Sequence, residues 1–572
     1  MKKTFKRVVS LSLALSMALS MAACKKEDKK ETTTKTGDTK TEPAKKTYEK
    51  PSVVNVTWDG TILKEGDEDT DALYKAYNEA YGFEVKWTRP DHSGYSDAIN
   101  QVFSAGDTSK YPDAFLLSAE NYVSFAARGL LYNFKEDWDN SDIRDSVDSK
   151  GNPRFTASFL ESVSSLYTVE GKSGELGLYG LPTTRGNGCV TYVRESWLEK
   201  IGKKAEDIKT YQDYMDMLTA MQKANLGDGG AVVTAAGYIS KEAPYTNYLP
   251  EFYQDAYPDF IQGADGKYVD GFQLDNMKEA LKRLATAKQS GLLDPDMSTN
   301  GTSQARNKFI ENKCGVFTYW AGTWKRTLGQ NIINKDKTWA SKTEAANFGD
   351  VVALKPIAEV GKYIERMAPV VVISKTAKNP EGIYKYFVEP IYDGDKVMSV
   401  WMYGAKGVHW SDEGETEIQN LTAKVTDADG KVKKDENGKE ITEITGTKEV
   451  KSTGFHFKLN KSKTAVLAKN NIDPLLAVCE YLPNKNPAGE VVNASNPVAY
   501  ECQMMFNDNC KPAPALLSNP TLAQNLNDIN NKRREVVAAV VDGTMTYDEA
   551  MKDYKDSVGD KIDACLKSLN ED

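Results

Sequence analysis

From Pro51 onward the apolar positions of the chain switch repeatedly between a two-residue and a 3.6-residue period. Val53-Val54-Asn55-Val56-Thr57-Trp58 is β-branched and bounded by Pro51 and Gly60, which predicts a strand. Thr70–Tyr81 puts Leu73, Ala76, Tyr77 and Ala80 on one helical face. Phe83–Trp87 predicts the next strand, Tyr95–Ala105 a helix, Pro112–Leu117 a short buried strand, and Asn121–Arg128 a helix stopped by Gly129. Such alternation predicts parallel strands with helices packed on the sheet, an α/β fold.

A second series follows. Leu178–Pro182 and Cys189–Val193 read as strands, Glu195–Gly202 and Thr210–Ala224 as helices. Leu274, Met277, Leu281 and Leu284 are in phase over Phe272–Gly291. Gly315–Trp320 predicts a strand and Thr323-Trp324-Lys325-Arg326 the start of a helix. Met367–Ile373 (MAPVVVI), the most hydrophobic segment of the body, predicts a central buried strand, with a helix over Pro380–Ile391. Residues 411–452 mix charges and Gly-punctuated turns with Val and Ile, predicting a surface hairpin insertion. Asp427-Ala428-Asp429-Gly430 there lacks the ligand ladder of a calcium loop and reads as a polar turn. The last hundred residues read as helical, including Asn530–Val541 and Tyr547–Leu569.

The N-terminus has a different character. Lys2, Lys3, Lys6 and Arg7 precede sixteen uncharged residues, Val8–Ala23, the layout of a secretory signal. Met21-Ala22-Ala23-Cys24 resembles a bacterial lipobox, in which Cys24 becomes a lipidated N-terminus; an ordinary signal peptide with an incidental cysteine is the alternative. Residues 25–50 hold only Ala44 and Tyr48 as apolar side chains, too few to offset ordering entropy, so a solvated tether is expected. The expected location is the extracellular face of the cell membrane, with the lipid as the sole attachment.

With 572 residues the chain is too long for one compact domain. The formal charge is 73 − 82 = −9; residues 1–23 contribute +4 and residues 25–50 contribute +3, so the remainder carries −9 − 4 − 3 = −16. That surface repels phosphate backbones and disfavours nucleic acid as a partner. Beyond Cys24 six cysteines remain (Cys189, Cys314, Cys479, Cys502, Cys510, Cys565), too sparse for a disulfide scaffold although pairs are allowed. Cys314, in an apolar run, reads as a buried thiol. His92, His409 and His456 are scattered, so no zinc site and no cofactor are assigned.

The order of short motifs resembles the family 1 extracellular solute-binding proteins of ABC importers, in their lipoprotein branch. Pro112-Asp113-Ala114-Phe115 with Arg128-Gly129-Leu130-Leu131, Tyr179-Gly180-Leu181-Pro182, and Tyr192-Val193-Arg194-Glu195-Ser196-Trp197-Leu198 carry the resemblance, with Ser196 where the family usually has Asp. Lys313-Cys314-Gly315-Val316 with Trp320, Ser374-Lys375 with Asn379-Pro380-Glu381, and Tyr403-Gly404 with Gly407-Val408-His409-Trp410 extend it over about 500 residues. The resemblance implies a two-lobe periplasmic-binding-protein-like fold of type II, with crossover strands at a hinge and solute in the cleft. Carried onto this chain, lobe one spans 51–178 and 367–480, and lobe two 179–366 and 481–572. Some relatives hold calcium after the second-lobe helix; here Asn225-Leu226-Gly227-Asp228-Gly229-Gly230 lacks the acidic ladder, and no metal is assigned.

Within that frame the candidate ligand contacts are Trp58 and Asp59 at the end of the first strand, Tyr122, Arg185, Tyr245, Tyr248, Trp320 and Trp324. Aromatic faces suit the apolar sides of sugar rings, and a guanidinium can fork onto carboxylates or paired hydroxyls. Each has a packing role as its alternative. The function expected is non-enzymatic capture of a carbohydrate, an oligosaccharide or another small solute, by a monomer that delivers it to an ABC permease. A peptide-binding lipoprotein and, more remotely, a secreted glycoside hydrolase stay open, although no carboxylate pair is recognisable.

Overall fold

The computed structural model describes residues 46–571 except 59–67, 92–93, 148–150, 152, 185, 228–230, 240–248, 255, 336–349, 358, 360, 394, 428, 435–440, 453–455, 458–483, 486–490, 493–496 and 515–518. The chain divides into two units, 1–47 and 48–572, and the second carries every described strand and helix. Tyr48–Lys50, grouped by composition with the tether, belongs to it. The Tyr48 hydroxyl donates to Asp137 (2.9 Å), and the Glu49 carbonyl accepts from the Asn379 amide (2.8 Å).

Lobe one is built on a five-stranded sheet in the order Glu84–Thr88, Val53–Thr57, Ala114–Leu117, Val370–Ile373, Gly180–Pro182, so the strand Gly180–Pro182, expected in lobe two, pairs in lobe one. The first three run parallel and the last two antiparallel to their neighbours. Val370–Ile373 is buried at every position, as a strand covered on both faces must be. Gly180 of the neighbouring strand is dictated by it: a Cβ there would lie 2.2 Å from Val370 Cγ1. The strand is shorter than the apolar run predicts because Pro369 has no N–H for the ladder and Met367–Pro369 is spent on the passage between lobes. The core of this lobe joins residues of Val54–Leu181 to those of Met367–Tyr403.

Lobe two has a four-stranded sheet in the order Val352–Ala353, Cys189–Val193, Val316–Trp320, Val233–Thr234. The motif around Arg194 earns its residues here. Arg194, nearly fully buried, donates from Nε to Asp350 (2.5 Å) and from a terminal nitrogen to the Phe309 carbonyl (2.8 Å). Trp197 lies flat on Gly315, where a Cβ would sit 2.1 Å from the ring, so the glycine of the Cys314-Gly315 pair is a steric requirement. The long C-terminal helices Pro520–Val541 and Tyr547–Glu571 close the lobe. Arg533, fully buried, bonds Asp270 (2.8 Å), Asp259 (3.3 Å) and the Tyr554 hydroxyl (3.1 Å), so its charge is compensated.

Most predicted elements appear with shifts of a residue or two. The helix predicted over Pro380–Ile391 changes pitch instead: a regular turn, Pro380–Ile383, opens into a wide one over Tyr384–Val388 and tightens at Glu389–Ile391. Pro390 has no N–H to continue the regular ladder, and the widened turn absorbs the missing bond. Glu415–Lys424 pairs antiparallel with Thr442–Ser452 in a long two-stranded ladder. In its polar turn Asp427 accepts the backbone N–H groups of Asp429 and Lys431 (3.0 and 2.9 Å). Among the described residues the five cysteines are buried, and Cys502 and Cys510 are not joined to each other. No helix of the described residues is long and apolar enough to cross a membrane.

Candidate functional site

Two described segments run between the lobes. Thr183–Gly188 leads from the lobe-one strand Gly180–Pro182 to the lobe-two strand Cys189–Val193, and Arg366–Pro369 leads back from Tyr363–Glu365 to Val370–Ile373. They pair with each other: Thr183 N–H donates to the Pro369 carbonyl and Arg366 N–H to that of Asn187, both at 2.8 Å. Gly188 is required because the Phe506 ring would stand 2.0 Å from a Cβ.

Beside this joint a cavity of about 390 Å³ opens at the carboxyl end of Ala114–Leu117. Lobe one contributes Tyr95, Ser96, Leu116, Ser118 and Glu120, while the crossover contributes Arg366 with Met367 and Pro369. The location follows from the parallel sheet, whose strand ends and following helix leave a crevice there. Tyr95 holds the rim together: its hydroxyl bonds the Leu116 carbonyl (2.8 Å) and N–H (3.1 Å) and reaches the Thr57 carbonyl (3.1 Å). Ser118 caps the helix Ala119–Ala127, its Oγ accepting from Asn121 N–H at 3.4 Å.

Arg366 links this wall to lobe two. Its Nε donates to the Gly186 carbonyl (3.3 Å), and its guanidinium lies 4.1 Å from the centre of the Trp320 ring. Trp320 ends the strand Val316–Trp320, where its carbonyl accepts the Tyr192 hydroxyl (2.7 Å). An indole under a guanidinium gives an amphipathic platform: planar donors outward, apolar face beneath. Among its described lining residues the cavity thus presents one cation (Arg366), one carboxylate (Glu120) and serine hydroxyls, with the Trp320 ring behind the guanidinium. That is the chemistry for a polar, hydroxyl-rich ligand.

The residues predicted to touch ligand fare differently. Trp320 does not line the cavity but lies under Arg366, which does. Trp324 is half-buried on the next helix, stacked edge-on with Tyr319 (4.7 Å) and covered by Arg306 (5.1 Å), and does not line it. Trp58 is 1% exposed; its ring turns back into lobe one against Trp401 (5.1 Å) and Trp87 (6.4 Å). Burying the indole in that cluster outweighs presenting it at the strand end. Tyr122 is also inside, its hydroxyl donating to the Tyr167 carbonyl (2.5 Å) and accepting from Tyr179 N–H (3.1 Å). Asp59, Arg185, Tyr245, Tyr248 and Cys24 lie outside the described residues. Sequence reasoning passed over Arg366, Tyr95, Ser96, Ser118 and Glu120. Arg366 had a signal, an arginine abutting the most apolar strand of the body; the others had none.

The profile of the bacterial extracellular solute-binding protein family matches residues 72–382, more than half of the chain. The chain belongs to that family. No curated protein sequence matches this solute-binding protein. Among solved structures it is similar to the N-glycan transport solute-binding protein NgtS of Streptococcus pneumoniae, at 16% identity over 91% of this chain and 99% of that one, with a TM-score of 0.55. An HMO-binding, ABC-transporter-associated solute-binding protein of Bifidobacterium longum infantis is similar at 14% identity over 91% and 98%, with a TM-score of 0.55. The sugar-binding protein MalE of Xanthomonas citri is similar at 12% identity over 91% and 100%, with a TM-score of 0.54. These likenesses are likenesses of fold, and they make this solute-binding protein a two-lobe α/β molecule.

Proposed function

We propose that this solute-binding protein captures an oligosaccharide in the groove between its lobes and delivers it to the permease of an ABC importer. The observation that carries the reading is the Arg366–Trp320 platform beside a groove lined by hydroxyl and carboxylate groups. Sugar hydroxyls suit guanidinium, carboxylate and serine, and the Trp320 indole braces the guanidinium that would meet them. Three structural neighbours with TM-scores above 0.5 are named for glycan or sugar binding, which agrees with this choice. Capture shifts an equilibrium between open and closed lobes, and the closed form is the one the permease takes. Lipid on Cys24 holds the protein at the outer face of the membrane, and the chain performs no chemistry on its cargo.

Isothermal titration against a panel of neutral and acidic oligosaccharides tests the proposal. Heat with at least one glycan, without release of reducing ends over hours, is the expected result. Silence across the panel removes the sugar assignment, and steady turnover removes the transport one.

A further inference from the structure

Glu365 and Arg366 are successive residues at the mouth of the return crossover, and an extended chain points successive side chains to opposite sides. Arg366 faces the groove. Glu365, 8% exposed, faces inward, where its two oxygens are held from different directions. The Ser162 hydroxyl, on the lobe-one helix Ala157–Ser165, donates to Oε2, and the Asn187 amide, on the outward crossover, donates to Oε1 at 3.2 Å. The Cys510 thiol approaches Oε2 at 4.0 Å from the strand Cys510–Pro512, which pairs with Tyr363–Glu365. The chain of bonds continues into lobe two: the Asn187 carbonyl oxygen accepts from the Gln503 amide (2.9 Å), which also reaches Asn507 Oδ1 (2.9 Å). Gln503 and Asn507 lie on the helix Pro497–Asp508, whose Cys502 and Phe506 are in a lobe-two core.

We infer that the Glu365 carboxylate is the joint between the lobes, a positioning residue that sets the angle between them without touching the solute. A lobe rotation changes the distance between Ser162 and Asn187, so it must break or rebuild a bond to this one buried group. Buried hydrogen bonds to a charged acceptor favour discrete arrangements over a continuous hinge. The groups with charge or a titrating proton that face Glu365 are Glu161 and Tyr167 from lobe one and Cys510 from the paired strand, with Arg366 beside it in the chain. Burial pushes the Glu365 carboxyl upward, the bonds from Ser162 and Asn187 pull it down, and Glu161 pushes it up. Its proton is therefore taken up at a higher pH than an exposed carboxyl's, and protonating one oxygen removes an acceptor from one of the two donors.

The consequence for affinity rests on the groove-binding proposal; the joint itself does not. Small-angle scattering and hydrogen exchange on the solute-free protein read it directly. Glu365→Gln and Ser162→Ala are each expected to change the radius of gyration and to raise exchange over 183–188 and 366–369, with the double variant adding little and Ser162→Thr restoring the wild-type values. The wild-type radius should depend on pH over a range lying above the ordinary carboxyl value of 4.5, and that of Glu365→Gln should not. With a binding glycan in hand, either variant should change its Kd by about tenfold. Should both folded variants keep the wild-type radius, exchange and pH profile, the joint is overturned, whatever binds. Should these shift while no glycan binds, the joint stands and the sugar reading falls.

Discussion

Asp350 shows how much one side chain can carry. One carboxylate oxygen accepts from Arg194 Nε (2.5 Å) and Ser196 Oγ (2.6 Å), the other from Ser196 N–H (2.6 Å), and the ion pair is 4% and 0% exposed. A serine at position 196 suits this geometry, since its hydroxyl donates where an aspartate would set a second carboxylate beside the first. Asp350→Ala strands a buried guanidinium and is expected to cost about 3–5 kcal/mol in urea unfolding; a loss below about 1 kcal/mol, the range of exposed pairs, would show the pair to be solvated. Glu251 is the opposite case. It is 3% exposed, and burial pushes its carboxyl from 4.5 up to about 7 despite a bond with Thr191. Below 4.5 it is protonated whether the chain is folded or not; between 4.5 and about 7 the unfolded chain loses the proton while the folded one keeps it. Stability therefore falls as pH rises through that window, by about 3 kcal/mol in all, and is flat beyond it. Urea midpoints measured against pH should show this slope in the wild type and a shallower one in Glu251→Gln; equal slopes would clear Glu251 of the effect.

Elements take their place from what lies against them. Val370–Ile373 accepts neighbours on both edges and both faces, and Gly180 is the neighbour's concession to it. Gly180→Ala is expected to destabilise lobe one by several kcal/mol, since the valine branches it meets belong to a fully buried strand; a thermal midpoint unchanged within a degree would mean that the two strands separate freely. The helix Ala119–Ala127 begins at the cavity, so its cap has a double role. Ser118→Ala should cost about 1 kcal/mol from the lost Oγ acceptor and weaken a bound glycan. A cost in stability with unaltered affinity assigns Ser118 to the helix alone. At the end of Val316–Trp320 the indole is half-exposed under Arg366. Trp320→Ala should weaken glycan binding by about tenfold with circular dichroism unchanged, and an unchanged Kd removes the platform from the site.

For the whole molecule, two lobe cores are joined by crossovers that pair with each other, and the groove lies beside that pairing. The acidic body and the Lys-rich segment before it are opposite in charge: residues 51–572 carry −16 and residues 25–50 carry +3. Under the proposed lipidation, attachment depends on Cys24. Cys24→Ala is expected to move the protein into the soluble fraction at physiological salt, where charge attraction by the leash is screened. Retention of that variant in the membrane fraction would mean that another contact holds it.

The linear order of strands and helices, the α/β class and the family motifs were legible in the sequence, because periodicity and turn residues act over a few neighbours and survive without tertiary context. Local steric demands were not: the glycines at 180 and 315 stood in the sequence only as motif positions, and the close approaches of Val370 and Trp197 that require them come from packing. The groove was legible only as a place. Whether a tryptophan at a strand end faces solvent or folds back, as Trp58 does against Trp401, depends on residues more than 300 positions away. The same holds for the union of Ser162, Asn187, Glu365 and Gln503 in one bonded chain, and for Arg366 over Trp320. Such contacts join segments with no pattern linking them along the chain, so packing in three dimensions alone decided them.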